Sequence, residues 1–387
     1  MLSAFDDYPI HQTPNPIART ASTDLNHYDR YFFNGYTPDA SLYFATAMGL
    51  YPNRHVADAS FSVVVGGGTP DARQISVHAS RRAPVDRSDA NVVGPIHVEV
   101  IEPLRTLRID VDSPEHGLRA DLRFEHRSPA IEEPHFLHTE GARVVFDYTR
   151  LTQFGSWQGW IDVDGDRTEI GPETLGSRDR SWGIRPVGER GSTGAPVADP
   201  QFFWLWAPLN FEKFSTHFDV NEYADGERWH GTGYVATVGD DEPEEMRSVH
   251  YRLEWRPGTR AAATFEIDLA SSGDRTSTIT LEPLYAFQML GLGYIHPDWN
   301  HGVWKGELEV GGERWTLPVD DPLSPHHVHI QTIVRATTSG DLGEHQGIGV
   351  LEQLAIGRHV PSGLEGLFDG APGSDRRRTG LIDGAPG

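Results

Sequence analysis

Apolar and polar residues alternate with a period of two along most of this chain. "TLRIDVDSP" puts Leu107, Ile109 and Val111 on one face, and "GLRADLRFEH" does the same with Leu118, Ala120, Leu122 and Phe124. The pattern returns in "FEKFSTHFDV", through Phe214, Thr216, Phe218 and Val220, and in "ATFEIDL", through Ala263, Phe265, Ile267 and Leu269. A period of two belongs to a strand with one buried face, and few windows show the 3.6-residue period of a helix. The chain therefore reads as all-β. Asp164-Gly165, Asp225-Gly226 and Gly311-Gly312 each separate two alternating runs, as the two-residue turns of antiparallel hairpins do. Hairpins in series build sandwiches or up-and-down barrels, and either can hold a ligand.

Length changes this picture. At 387 residues the chain exceeds what one core ordinarily serves. A short internal repeat points to two similar halves: Phe32-Phe33 and Phe202-Phe203 each open a run with a proline turn and an alternating strand, and Glu-Pro-Leu follows at 102–104 and 282–284. "RPVGERGSTGAPVADP", near 185–200, has the Gly, Pro and small polar residues of a linker. The expected organisation is a β domain over 1–195, a second over 196–362 and a flexible tail over 363–387, where DGAPG occurs twice.

Charge narrows the partners. With 33 basic against 56 acidic residues the net charge is -23, which repels phosphate backbones and anionic membrane surfaces, so nucleic acid is not an expected partner. No cysteine is present, which removes disulfides, thiolate nucleophiles and cysteine-ligated metals. "MLSAFDDYPIHQTPNP" lacks the apolar core of a signal peptide, and no run approaches the length of a membrane span. The expectation is a soluble cytoplasmic protein whose oligomeric state the sequence leaves open.

The densest chemistry is "TLGSRDRSWGIRP", residues 174–186, with Trp157, Trp160, Asp147 and Tyr148 on the preceding run. A carboxyl group among indole faces is desolvated, its pKa rises, and it can act as a general acid while the rings favour a cation. The same residues also read as three core tryptophans with Asp179 paired to Arg178 or Arg180. The spacing of Asp179, Trp182 and Gly183, the "YFFNGY" opening and the closing "GIGVLEQ" at 347–353 together resemble the carotenoid 1,2-hydratase (hydroxyneurosporene synthase) superfamily over residues 25–360. The resemblance implies two lipocalin-like β domains in tandem and cofactor-independent hydration, isomerisation or cyclisation of a hydrophobic terpenoid or polyene-like substrate, hence a lyase or an isomerase. It further implies that neutral Asp179 protonates a C=C bond, that Trp157 and Trp182 stabilise the carbocation, and that Tyr148 or a histidine positions water. Superfamily members often carry His directly after the Asp; here the residue is Arg180.

Trp157, Trp160, Arg178, Arg180, Trp204, Trp206 and Glu352 are the expected substrate-binding residues. Phe202, Trp204 and Trp206 share a strand face that either packs a core or lines a cavity, and Glu352 points with Ile348, Val350, Leu354 and Ile356, as a lining acid or a satisfied core acid. The expected site lies where the halves meet. His327 and His329 share a face beside His326, but no third metal ligand is near, and His217 reads as solvent-facing on its strand unless that face lines a barrel. "DVDGDRTEIGPE" imitates a calcium loop but has Arg167 where the glycine belongs, so a hairpin explains it better, and no metal is expected. Two rival readings stay open: a non-catalytic carrier of a hydrophobic ligand, and a carbohydrate-active sandwich with tryptophan platforms.

Overall fold

A computed structural model describes residues 4–187, 199–372 and 378–380. The alternating runs form two curled antiparallel sheets, of 13 and 11 strands among the described residues. In the first, hairpins from His27–Tyr36 to Arg73–Arg82 run toward one edge, and strands from Val92–Val93 to Asp166–Ile184 run back from the other. The last strand of this series pairs with the first, from His27↔Ile184 to Tyr36↔Leu175. The second sheet repeats the device: Phe202–Trp206 pairs with Phe214–Glu222 and with the late strand His345–Ile356. The two Phe-Phe segments thus hold the same place in their sheets, whereas Glu-Pro-Leu forms a turn at 102–104 and a strand bulge at 282–284.

Each sheet wraps its own core. Phe33, Phe44, Phe61, Ile109, Leu122, Phe124 and Trp157 fill the first; Phe203, Phe218, Leu253, Phe265, Ile267 and Leu351 fill the second. Such paired, curled, all-antiparallel sheets make the fold all-β with two lipocalin-like units in tandem. A further apolar cluster, including Phe32, Tyr36, Tyr43, Trp206, Phe287, Ile333 and Val350, joins the sheets face to face. Because of that junction Phe214–Glu222 is buried on both faces, so His217 is buried rather than solvent-facing.

Gly311-Gly312 does not turn. Both residues lie inside Leu308–Thr316, which crosses from the C-terminal half to pair with Arg73–Arg82 at the edge of the first sheet. The glycines answer to packing: a Cβ would stand 2.4 Å from the Trp299 ring at Gly311 and 2.5 Å from His116 at Gly312. Residues 363–372, expected in a tail, are packed on the second unit, and Arg378–Gly380 is a strand paired with Ser248–Trp255. Leu364 and Ala371 are buried, and Arg260 donates to the Asp369 carboxylate at 2.6 Å and to the Gly366 carbonyl at 2.9 Å. Residues 373–377 and 381–387, and most of the expected linker at 188–198, lie outside the described residues. No helix among the described residues is long and apolar enough to cross a membrane.

Candidate active site

The motif strand Asp166–Ile184 lies between His27–Tyr36 and Arg143–Val163, so each residue on its inner face has a neighbour on either side. Asp179 sits between Phe32 and Thr152, Ser181 between Arg30 and Arg150, and Gly183 between Tyr28 and Tyr148. Alternation turns this whole grid toward the second sheet. Gly183 is required by the backbone: its φ is +136°, and a Cβ would lie 2.3 Å from the Asp147 carbonyl and 2.7 Å from Tyr148 Cα.

The indoles expected around Asp179 are elsewhere, for the same reason of alternation. Residues 179 and 182 are an odd number of positions apart, and Trp182 points to the opposite face, where it is 41 % exposed. Arg178 and Arg180 share that opposite face. Arg178 donates to Gln153 at 2.9 Å, and Arg180 pairs with Asp29 and lies 4.1 Å over the Tyr31 ring, so neither binds Asp179. Trp157 is buried in the first core against Phe33, Phe44 and Phe124 and donates to the Asn34 carbonyl at 2.9 Å. Trp160 lies toward the hairpin end, under Arg167. The structure does bring Asp179 together with Tyr148, Trp204, Trp206 and Glu352 on the interior between the sheets.

Two buried acids there have raised pKa values: Asp58 is pushed up to about 6 by burial, with Arg30 opposing, and Asp179 is raised more strongly. The Asp179 carboxylate accepts no hydrogen bond from any described residue, and its pKa is pushed up to about 7. Burial is the main cause; Arg150 opposes it, Glu133 adds to it, and Arg185 and Arg30 oppose it further. Burial also raises the Tyr28 and Tyr148 hydroxyls, which therefore stay protonated.

Three arginines surround this acid. Arg150 is fully engaged: it donates to both oxygens of Glu133 at 2.8 and 2.5 Å, pairs with Asp219, and lies 4.7 Å from the Phe136 ring. Thr152 donates to Glu133 at 2.6 Å and the Trp204 indole to Asp219 at 2.7 Å. Burial alone would raise the Glu133 carboxyl, but Arg150 and His217 hold it well below the usual range. Arg30 instead donates to Nδ1 of His301 at 2.6 Å, and His301 donates through Nε2 to the Leu292 carbonyl at 2.9 Å. His301 is thus neutral; burial and then Arg30 hold its pKa well below the ordinary value. Arg185 lies 4.6 Å over the Tyr28 ring. Nε of Arg30, Nε and Nη2 of Arg185 and the Tyr28 hydroxyl are buried without a hydrogen-bond partner.

On the opposite wall the acid is bonded, while Nδ1 of His329 and Nε1 of Trp206 are buried without a hydrogen-bond partner. Glu352 is 2 % exposed and accepts from His329 and from Gln331, each at 2.6 Å, so it is a bonded interior acid. Tyr294 lies between the walls, its ring 4.7 Å from His329 and 4.5 Å from the Arg30 guanidinium, and burial raises its hydroxyl pKa, with Arg30 and Arg185 opposing and Glu352 and Asp179 adding to the rise. Of the histidine run only His329 reaches this interior; His326 and His327 bond the carbonyls of Ile295 and Asp321. Arg30, Arg150, Arg185, Glu133, Asp219 and Tyr294 were not among the residues expected from sequence. A signal existed for the first two, since Arg30 alternates with Tyr28, Phe32 and Asn34, and Arg150 with Tyr148 and Thr152.

Two groups of ligand-type residues come close enough to suggest a metal: Glu133, Asp219 and His230, and His78, His296 and Glu313. Neither fits one. In the first, the Arg150 guanidinium already binds both carboxylates. In the second, Nδ1 of His296 accepts the backbone N–H groups of Asp298 and Trp299 at 2.9 and 2.8 Å. That leaves the proton on Nε2, the atom a metal would need, and it is donated to Glu313 at 2.9 Å.

Among solved structures the fold is similar to kievitone hydratase from Nectria haematococca, with a TM-score of 0.52 and 11% identity over 92% of this chain and 96% of that one. CghA with Sch210972 matches at a TM-score of 0.43 and 12% identity, over 85% of this chain and 89% of that one. At such identities the likeness is one of fold. No curated protein matches the sequence. A family of unknown function (DUF8625) matches residues 2–365, and the chain belongs to that family.

Proposed function

We propose that the interior between the two sheets is the active site of a cofactor-independent hydratase, isomerase or cyclase acting on a hydrophobic, terpenoid- or polyene-derived small molecule, with Asp179 as its acid. One observation carries this reading: a carboxyl pushed up to about 7, free of hydrogen bonds, stands on a wall of aromatic and apolar side chains. A general acid works best with a pKa near the working pH, and Asp179 has that value because burial supplies it. The fold it shares with a hydratase supports the same reading.

In the proposed reaction protonated Asp179 delivers its proton to an unsaturated carbon. Water then adds at the neighbouring position and returns a proton to the Asp179 carboxylate, giving hydration; loss of a substrate proton to that carboxylate instead gives isomerisation, and attack by a second double bond, followed by loss of a proton to the carboxylate, gives cyclisation. Tyr148, across Gly183 from Tyr28 on this face, is the hydroxyl that would orient water. The charges of Arg150, Arg185 and Arg30 all act on Asp179 and disfavour a full cation beside it, so proton transfer is concerted with bond formation rather than followed by a long-lived cation.

The test is mass spectrometry of terpenoid and polyene extracts incubated with the protein in oxygen-18 water, beside Asp179→Asn. The expected result is a product carrying one labelled oxygen, or an unlabelled isomer, that the variant does not make. Equal turnover by Asp179→Asn would remove Asp179 from the chemistry, and an extracted compound recovered chemically unchanged would make the protein a carrier.

A further inference from the structure

Arg30 and Arg185 pose a problem of charge. The chain carries 56 acidic against 33 basic residues, and Arg150 alone takes two of those carboxylates. Yet neither Arg30, 2 % exposed, nor Arg185 forms an ion pair with any described carboxylate. A buried guanidinium without a counter-charge is costly, and folded proteins rarely keep one without a use for it. Two buried acids feel these charges, Asp179 and Asp58, but neither fills the role by contact: no hydrogen bond or ion pair joins either one to Arg30 or Arg185, and Asp58 accepts from Tyr51 and the Gly302 N–H instead.

The unused donors lie together. Arg185 stacks on the Tyr28 ring at 4.6 Å, and Arg30 and Arg185 both lie over the Tyr294 ring, at 4.5 and 5.9 Å. Around those two rings Nε of Arg30 and Nε and Nη2 of Arg185 donate to nothing, and the Tyr28 hydroxyl, with only the Ser181 side chain beside it, makes no well-formed hydrogen bond. Tyr28 is itself wholly buried, so these donors belong to the interior. Arginine nitrogens and a tyrosine hydroxyl around one point are the donor set for an oxyanion.

We propose that this cluster binds an anionic oxygen of the substrate, so that the hydrophobic molecule taken by this protein carries a carboxylate, an enolate or a phenolate seated on Arg30, Arg185 and Tyr28. The inference rests on reading this interior as the active site. It adds a substrate class: an acidic, oxygenated molecule rather than a pure hydrocarbon. It also gives the motif a second working member, since Arg185 follows Asp179 within "DRSWGIR".

The experiment compares 2-naphthoate with its neutral isostere 2-naphthamide by calorimetric titration, and follows the fluorescence of bound 2-naphthol, which differs between the phenol and the phenolate. The wild-type protein should bind naphthoate about tenfold or more tightly than naphthamide, as charge-assisted hydrogen bonds imply. Arg185→Gln should abolish that preference, Tyr28→Phe should reduce it, and Arg185→Lys should restore part of it. Tyr28→Phe also guards against misfolding, because it removes only a hydroxyl beside the Ser181 side chain and keeps the ring that Arg185 lies over, so the melting temperature should change little. Phenolate emission from bound naphthol would place the substrate among enolates or phenolates, and tight naphthoate with neutral naphthol among carboxylates; both support the proposal. No naphthoate binding up to its solubility, equal affinity for naphthoate and naphthamide, or a preference unmoved by the variants would overturn it. The two readings fail separately: loss of the anion preference with Asp179-dependent turnover intact removes only the oxyanion site, and the reverse removes only Asp179's role.

Discussion

Arg30 and Arg150 flank Ser181 on the same sheet, equally buried, and differ in almost everything else. Arg150 is bonded to Glu133 and Asp219 and packed against Phe136, with Thr152 and Trp204 completing the bonds of its two acids. Because Asp219 comes from the second sheet, this cluster is a clasp between the halves. Arg30 has a neutral histidine and an aromatic ring, and one nitrogen with nothing to bond. A saturated buried charge holds structure together, whereas an unsaturated one retains binding capacity. Asp179, diagonal to both, takes its raised pKa from burial that neither arginine fully offsets.

The sharpest way to break the contrast is Arg150→Met. It leaves Glu133 and Asp219 buried beside each other without their cation, and removing one partner of a buried pair costs about 3–5 kcal/mol. Chemical denaturation should show a midpoint lowered accordingly. Wild-type stability in this variant would mean that the clasp contributes nothing.

An effect of the same order at high pH, but one that vanishes at low pH, is expected for Asp179→Asn. A carboxyl whose folded pKa is raised favours folding most when protonated: its contribution is complete below the unfolded value of about 4 and is lost as pH rises through the folded value. For Asp179 that window ends near 7. The asparagine variant should therefore match the wild type in melting temperature at pH 4 and exceed it at pH 8. A constant difference across that range would show that the carboxylate is compensated in the folded protein.

These contrasts were only partly legible beforehand. Alternation was plain where one face of a strand is wet, as in Thr106–Ser113 and Leu118–His126, and it gave the all-β fold. It misled where both faces are covered: His217 sits in a strand with no exposed residue, and the glycines at 311 and 312 make room for Trp299 and His116 instead of turning the chain. Asp179 stood out by its company, but Trp182, Arg178 and Arg180 are company in sequence only, since a strand sends alternate residues to opposite faces. Tyr28, Arg30 and Phe32, and likewise Tyr148, Arg150 and Thr152, were a better signal: a charge in step with an apolar face. Glu133, Asp219, Tyr294 and His301 offered no such sign, because only tertiary packing carries them to the site.

Arg30→Met gives the smallest change and the most discriminating one. Methionine follows the aliphatic part of arginine without its charge, so the variant loses the hydrogen bond to His301 while relieving a buried guanidinium that forms no ion pair with a described residue. The first term is about 1 kcal/mol and the second opposes it, so the net stability should lie within roughly 1 kcal/mol of wild type, on either side. The same substitution at Arg150 is expected to cost several times more, although the two positions lie either side of Ser181 and are equally buried. Parallel urea titrations of the two variants measure the difference directly. If Arg30→Met proves as costly as Arg150→Met, Arg30 holds the fold as Arg150 does, and its unused nitrogen loses its meaning as a binding group. If it is neutral or stabilising, the protein keeps this arginine at no structural gain, as expected of a residue retained for what it binds.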